Sequence, residues 1–282
     1  MTGSPPSTPA PLTQRSARVV AARRLHRRRE RDHSGLLLVE GPQAVREALA
    51  EGLVTELFVE VGRAEQAVPA AAGQVRVHAV TAQGLAALAQ TVTPQGVVAV
   101  ARHRHTTLGQ ALAHAPRLAV VLAGIADPGN AGAVLRTADA AGAGVVVFPD
   151  GSVDPYNGKC VRASAGSLFH LDVVRGGSEE QAVAELKRAG FTVLAADAHG
   201  GHDLDDLLET GGLGGRTGWI FGAEAHGLPP QVCDLADATV RVPIHGRAES
   251  LNLAAAAAVC LYASARAQRR ADQRGKHRGD VP

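Results

Sequence analysis

Three glycine-containing segments carry the residue types that could do chemistry in this chain. Residues 127–142 read DPGNAGAVLRTADAAG, residues 221–228 read FGAEAHGL, and residues 242–258 read VPIHGRAESLNLAAAAA. Each follows an apolar run that predicts a β-strand. Ligands of open parallel sheets bind beyond the carboxyl ends of the strands, so these segments are where a binding site is expected.

Taken alone, the first segment is compatible with a dinucleotide-binding fingerprint. Its glycines lie between a predicted strand and a predicted helix, and Asp150 follows about 20 residues later. The glycines are Gly129, Gly132 and Gly142, however, and the GxGxxG spacing that lets a backbone approach a pyrophosphate is absent. The spacing therefore disfavours a nicotinamide-dependent enzyme.

The elements that must position these segments form two α/β units. The first comprises predicted helices at 16–31, 42–50 and 82–90 and predicted strands at 36–39, 54–61, 75–80 and 97–101. The second comprises predicted strands at 118–122, 145–148, 191–196, 218–221 and 238–242 and predicted helices at 131–141, 179–189 and 251–268. Repeated alternation of strand and helix predicts an α/β fold with a mostly parallel sheet covered on both faces.

Composition divides the chain into four expected segments. Residues 1–15, rich in proline, serine and threonine, predict a disordered leader, and residues 271–282 predict a disordered basic tail. Residues 16–106 form the smaller domain and residues 107–270 the larger one. The leader lacks the apolar core of a secretory signal, and no apolar run approaches the ~20 residues of a membrane span, so we expect a cytoplasmic protein.

No metal site is expected. The cysteines, Cys160, Cys233 and Cys260, are far apart and form no CxxC pair, and the 12 histidines form no convincing ligand pair. The three thiols are expected to be passive in a reducing cytoplasm.

Basic residues are concentrated at the two ends of the chain. The net charge is +2, from 29 basic and 27 acidic residues, but residues 1–33 and 262–282 together hold 14 of the bases and only 4 of the acids. The middle of the chain therefore carries a charge of −8. Guanidinium clusters attract polyphosphate backbones, so a nucleic-acid partner is expected. A general bias toward arginine, with 26 arginines against three lysines, is the open alternative.

Taken together and in this order, the three segments resemble the motifs of the SpoU (TrmH-like) RNA ribose methyltransferases of the SPOUT superfamily. The resemblance covers residues 118–262, and residues 152–169 are similar to the stretch between the motifs. Residues 16–101 resemble the small ribosomal-protein-like domain with which many members hold RNA. The matching motif residues are Asn130, Gly132, Arg136 and Thr137, then Gly222, Glu224, Gly227 and Leu228, then Pro243, Gly246, Ser250, Leu251 and Asn252.

The resemblance implies a fold, a methyl donor and an assembly. The last part of the larger domain would thread through a loop to make a trefoil knot, and S-adenosylmethionine would lie among the knotted turns. The family forms homodimers in which one subunit's arginine faces the other subunit's donor, and it needs no metal. By similarity, the donor pocket consists of Gly222, Ala223, Glu224, Val242 and Leu251, with Ala195 and Ala196 after the preceding strand.

The resemblance also implies roles for polar side chains. Arg136, Asn130, Glu224, Ser250 and Asn252 are the candidate catalytic residues, and Arg136, Arg162, Arg23 and Arg24 are the candidate RNA contacts. Structural alternatives stay open for each type of residue. Asparagine and serine at these places can cap helices, the glutamate can be a paired structural acid, and the arginines can be solvated surface cations.

The function that follows is methyl transfer from S-adenosylmethionine to a ribose 2′-hydroxyl of RNA. Similarity to members that modify the large ribosomal subunit favours 23S ribosomal RNA, with transfer RNA second. The alternative is a noncatalytic RNA-binding protein on the same knotted scaffold. Retention of all five candidate catalytic residues argues against that alternative, because a protein that only binds has no need of the full set.

Overall fold

The computed structural model describes residues 10–63, 75–223 and 227–279. The chain divides into two compact units between His103 and Arg104. Each unit has its own sheet.

The first unit is built on a four-stranded sheet in the order β1-β4-β2-β3. Its strands are β1 (Leu36–Glu40), β2 (Val54–Glu60), β3 (Arg76–Val80) and β4 (Val97–Arg102). Strand β4 runs antiparallel to both of its neighbours, whereas β2 and β3 are parallel. Leu85, Phe58 and Val98 are buried in one apolar cluster of this unit.

Helices of the first unit differ from the prediction in one place. They are α1 (Ala17–Arg23), α2 (Arg28–Ser34), α3 (Pro42–Ala50) and α4 (Ala82–Leu88), with a 3-10 helix at Arg24–His26. The single basic helix predicted at 16–31 is wrong, because Arg27 is extended (φ −89°, ψ 131°) and separates two short helices. The break buries Leu25, and Arg31 donates hydrogen bonds to the carbonyls that the broken helix leaves open.

Part of the predicted leader is attached to this unit. The Leu12 amide donates to the Ala79 carbonyl at 2.8 Å, and the Leu12 carbonyl accepts from the Thr81 amide at 2.9 Å. Residues 1–9 of the leader lie outside the described residues.

The second unit is built on a seven-stranded sheet in the order β7-β6-β5-β10-β8-β11-β9. Every neighbouring pair of strands is parallel, so the predicted α/β fold with a mostly parallel sheet is confirmed. The strands are β5 (Leu118–Leu122), β6 (Val145–Phe148), β7 (Asp172–Arg175), β8 (Thr192–Ala196), β9 (His202–Asp203), β10 (Thr217–Phe221) and β11 (Ala238–Arg241). Every residue of β5, β6 and β10 is buried, as expected for strands covered on both faces.

Helices of the second unit include one that is much longer than the others. They are α5 (Leu108–Ala113), α6 (Pro128–Ala141), α7 (Gly158–Ala163), α8 (Glu179–Arg188), α9 (Leu204–Glu209), α10 (Pro230–Leu235) and α11 (Leu253–Gly279). The indole nitrogen of Trp219 donates to the Ser264 hydroxyl at 2.9 Å, and Gln268 donates to the carbonyls of Arg117 and Gly215. These bonds hold α11 on the sheet, and the helix extends into the segment 271–282 predicted as a disordered tail. Among the described residues, no helix is long and apolar enough to cross a bilayer.

Candidate active site

The carboxyl ends of four neighbouring strands lie at one edge of the larger sheet. In the register of the sheet, Phe221 pairs with Leu122, Ile220 with Ala195, and Val240 with Ala196. The residues that follow β5, β8, β10 and β11 therefore emerge side by side. This edge brings together five of the predicted donor-pocket residues, namely Ala195, Ala196, Gly222, Ala223 and Val242.

The chain makes a tight turn directly after β10. The Gly227 amide donates to the Ala223 carbonyl at 2.8 Å, and Gly227 has a φ of +65° that favours glycine. A Cβ on Gly222 would lie 2.4 Å from the Gly227 carbonyl and 2.6 Å from the Leu228 nitrogen. Two motif glycines are therefore explained, Gly222 by the close approach of two backbone segments and Gly227 by its positive φ. Glu224, predicted for both catalysis and donor binding, lies outside the described residues.

A second close approach joins the loop after β8 to β11. A Cβ on Gly200 would lie 2.6 to 2.7 Å from backbone atoms of Val240 and Arg241. The Asp197 amide donates to the Val240 carbonyl, and Arg241 bridges the Gly200 carbonyl and the Asp203 carboxylate. Sequence reasoning missed Gly200, although the adjacent pair Gly200–Gly201 was a signal for a tight backbone contact.

Helix α6 begins at the same edge, after β5. Asp127 is its N-cap, with a side-chain oxygen that accepts from the Asn130 amide at 2.9 Å, and Pro128 occupies the first turn. Lys159 from α7 donates to the other Asp127 oxygen at 2.6 Å. This hydrogen bond, with that from the Asn130 amide, holds the pKa of Asp127 below its ordinary value. The pair fixes the first turn of α6 and carries Asn130 at the edge of the sheet.

Arg136 lies further along α6 and is exposed. Its side chain makes no hydrogen bond or ion pair within the part of the chain that the structure describes. Asn130 and Arg136 are six residues apart, which separates their side chains by about 120° around the helix axis. The two candidate catalytic residues of this segment therefore leave different sides of α6.

Gly132 of the first motif has a packing role. A Cβ there would lie 2.5 Å from the Cys160 carbonyl and 2.6 Å from the Ala163 Cβ, so α6 and α7 approach at this glycine. Arg162 lies on α7 and is partly exposed. Cys160 and Cys260 are fully buried, and burial raises the pKa of the Cys260 thiol to about 12.

The third motif forms the approach to α11. Ser250, Leu251 and Asn252 are all exposed, and the Asn252 side-chain oxygen accepts from the Ala255 amide at 2.8 Å. Asn252 therefore caps α11, as the structural alternative anticipated, and its other side-chain groups stay at the surface. Arg23 and Arg24 are exposed in the other unit, at the end of α1 and the start of the 3-10 helix.

The arrangement is suited to holding a small polar molecule with backbone groups. Two close approaches of backbone segments, at Gly222 and at Gly200, lie at the carboxyl edge of the sheet. Among the described residues, no group of three or more histidine, cysteine, aspartate or glutamate side chains could hold a metal ion. Lys159 was missed by sequence reasoning, since its partner Asp127 is 32 residues away in the chain.

Comparison with known proteins identifies both units. The model of the SpoU rRNA Methylase family matches residues 117–262, and that of the MRM3-like substrate binding domain matches residues 16–99. The chain is 33% identical over 242 residues to the 23S rRNA (guanosine(2553)-2′-O)-methyltransferase RlmP of Bacillus subtilis, covering 85% of this chain and 92% of the relative.

A second relative and a solved structure agree with this match. The chain is 32% identical to the 23S rRNA (guanosine-2′-O-)-methyltransferase RlmB of Bordetella pertussis, covering 76% of this chain and 89% of the relative. It also resembles the crystal structure of the SpoU methyltransferase AviRb from Streptomyces viridochromogenes in complex with the cofactor AdoMet. That comparison has a TM-score of 0.76 and 30% identity, and covers 91% of this chain and 99% of the other.

Proposed function

We propose, because this chain belongs to the SpoU rRNA methylase family, that it transfers the methyl group of S-adenosylmethionine to a ribose 2′-hydroxyl of RNA. The observation that carries the proposal is the convergence of motif residues at one sheet edge. There a Cβ on Gly222 would collide with the backbone of Gly227 and Leu228. Ribosomal RNA of the large subunit is the first candidate for the substrate, since RlmP and RlmB are named for 23S rRNA. Transfer RNA is the second candidate.

The donor pocket consists of the turns at the carboxyl edge. Gly222, Ala223, Val242 and Leu251 line it, with Ala195, Ala196 and Glu224, and backbone amides and carbonyls make most of its hydrogen bonds. The close contact of Gly222 with Gly227 and Leu228 fits a pocket made of backbone. Bound S-adenosylmethionine supplies an electrophilic methyl group on a sulfonium.

Arg136 orients the substrate and does not remove the proton. In-line transfer requires that the ribose oxygen be aligned with the methyl group and lose its proton. A guanidinium has a pKa above ~12 and keeps its proton, so Arg136 clamps a substrate phosphate and orients the hydroxyl, while phosphate or water takes the proton. Asn130, Glu224, Ser250 and Asn252 position the ribose and backbone by hydrogen bonds.

The larger domain contains a trefoil knot in this proposal. Its support is the position of β10, which is inserted between β5 and β8, together with the two close backbone contacts at Gly222 and Gly200. Residues 107–270 form this methyltransferase domain, and residues 16–106 form the RNA-binding domain. The location is the cytoplasm, where ribosomal RNA is found in a bacterial cell.

The active form is a homodimer. Arg136 leaves a different side of α6 from Asn130, which suits an arginine that serves the partner subunit's donor. Helix α11 exposes Val259 and Tyr262 on the side opposite its buried residues, and Leu251 and Ile244 are exposed just before it. An apolar stripe of this kind supports an interface with a second copy.

The test is transfer of labelled methyl from S-adenosylmethionine to total ribosomal RNA and to total transfer RNA. We expect label in ribosomal RNA with the wild type and a loss of about 100-fold or more with Arg136→Ala, as for removal of a group that orients and stabilises the transition state. Absence of transfer to any RNA by folded protein, with donor present, would instead favour an RNA-binding protein.

A further inference from the structure

The junction between α1 and α2 carries a dense group of arginines in the first unit. Arg23 ends α1, Arg24 begins the 3-10 helix, Arg27 is the N-cap of α2 and Arg29 lies in its first turn. All four side chains are exposed, and none has a hydrogen bond or ion pair with another described residue. We name these four residues the arginine corner.

Other arginines of the same segment have partners. Arg18 pairs with Glu56 at 2.9 Å, and Arg28 pairs with Asp32 at 3.5 Å. Their charge is partly balanced within the protein, whereas that of the corner is not. The structure thus separates the segment's arginines into paired residues and residues available to a partner.

Arg31 differs from all of them because it is buried, with 4% of its surface exposed. Its Nη1 donates to the Leu25 carbonyl at 2.8 Å and to the His26 carbonyl at 2.9 Å. Both carbonyls belong to the 3-10 helix between α1 and α2. The buried guanidinium of Arg31 therefore fixes the backbone segment that carries the exposed arginine corner.

We propose that the arginine corner binds phosphates of the RNA substrate. We also propose that Arg31 is the positioning residue that fixes the backbone conformation of the corner. The inference rests on the proposed function and extends the RNA contacts from Arg23 and Arg24 to Arg27 and Arg29. Guanidinium groups bind phosphate oxygens in bidentate geometry, so their directions matter as well as their charge. Those directions depend on the break between the two helices, which Arg31 fixes.

The surface is tested with Arg27→Gln and Arg29→Gln, each beside Arg188→Gln, which removes one exposed arginine from the other unit. Binding of 23S ribosomal RNA transcribed in vitro is measured at several salt concentrations. Each corner variant should lower the slope of log affinity against log salt by about 1 and weaken binding roughly fivefold at physiological salt. Wild-type slope and affinity in both corner variants would overturn the proposal.

The positioning role is tested with Arg31→Met and Arg31→Lys, beside Arg102→Lys. Arg102 is an exposed arginine of the same unit that also donates to a backbone carbonyl, that of Gly52. Arg31→Met should raise KM for RNA about fivefold or more and lower the salt slope, although it removes no exposed charge. The kcat at saturating RNA and the affinity for S-adenosylmethionine should stay unchanged, Arg31→Lys should recover most of the loss, and Arg102→Lys should have no effect.

Two results would overturn the role of Arg31. One is folded Arg31→Met protein with wild-type KM and salt slope, and the other is a loss confined to kcat. If Arg31→Met does not fold, Arg31→Gln, which keeps an amide donor, must give the same rise in KM. Failure of the methyltransferase proposal is a separate result, because RNA binding that depends on the corner is measured without any methyl transfer.

Discussion

Close backbone contacts explain why two motif positions, Gly132 and Gly222, and the loop position Gly200 are glycine. Gly222 touches Gly227 and Leu228, Gly200 touches β11, and Gly132 touches α7, and in each case an added Cβ would meet backbone atoms at under 2.7 Å. Backbone atoms cannot swing aside as the end of a long side chain can. At these positions the residue type is therefore set by the space between chain segments, and Gly222 is the one of the three that lines the donor pocket we propose.

Replacing Gly222 with alanine should weaken binding of S-adenosylmethionine. The new Cβ would force the turn after β10 open, and overpacking of this kind costs about 1–3 kcal/mol, or roughly 5- to 150-fold in affinity if it falls on the pocket. Isothermal titration with the donor measures the effect. Gly109→Ala is the matched control, since a Cβ there meets nothing within 4 Å. Equal affinity in the two variants would show that the turn does not shape the pocket.

At this scale the sequence predicts residue types better than contacts. Asn252 was expected either to cap the last helix or to bind substrate. In the structure its side-chain oxygen caps the helix by accepting a hydrogen bond from the Ala255 amide. Lys159 could not be found in the same way, because its bond to Asp127 joins elements that are adjacent only in the folded chain. The site residues that are not explained by packing, Arg136 and Ser250 among them, remain predictions.

The start of α6 is the element on which the site depends most. Its first turn is held by the Asp127 cap and by Lys159, and its middle packs against α11 and α7. Asn130 lies in the first turn, and Arg136 is an exposed residue further along the same helix. A shift of this helix would therefore move both candidate catalytic residues.

Stability at acid pH should depend on the Asp127–Lys159 pair. The pKa of Asp127 is lowered in the folded protein, so its contribution is present above the ordinary value of about 3.9 and is lost as pH falls through the lower, folded value. Asp127→Asn keeps a capping side chain and removes the charge. Its free energy of unfolding in urea should lie below that of the wild type at pH 7, and the two should converge as pH falls through the lowered pKa of Asp127. A constant difference at all pH values would contradict the assignment, and Lys159→Met should behave as Asp127→Asn does.

Helix boundaries were the least predictable feature of the elements. The helical pattern of residues 16–31 does not indicate the break at Arg27. The break is stabilised by the side chain of Arg31, which binds the carbonyls that the interrupted helix leaves without a partner. Ser264 and Gln268 hold helix α11 on the sheet past its apolar part, and the helix continues to Gly279. Both outcomes depend on side chains that reach distant backbone or side-chain groups, which local periodicity does not report.

For the whole molecule, the parallel sheet and the family were predictable from the sequence, and both are confirmed. Alternation of apolar runs with helical segments gave the fold class, and three ordered motifs gave the family. The assembly depends on surfaces, which a sequence describes poorly. The packing of α11 in the folded protein is what shows that Val259 and Tyr262 lie on its exposed side, while Cys260 and Leu261 are buried.

A charge on that exposed side should dissociate the homodimer that we propose. Tyr262→Glu would bury a carboxylate in an apolar interface, and loss of a central contact costs about 2 kcal/mol or more, which raises the dissociation constant roughly 30-fold. Light scattering during size-exclusion chromatography measures the mass. Ala184→Glu, at an exposed position of α8, is the matched control and should leave the dimer intact. A wild-type protein that is monomeric at all concentrations would contradict the proposed assembly.

The central claim is that the methyl group reaches a ribose oxygen, and the most direct measurement is the identity of the methylated nucleoside. Unmodified 23S ribosomal RNA is incubated with the protein and S-adenosylmethionine, digested to nucleosides and analysed by mass spectrometry. We predict a 2′-O-methylnucleoside that is formed by the wild type and lost with Arg136→Ala. A product methylated on its base, or a ribose product that Arg136→Ala forms at the wild-type rate, would contradict the account.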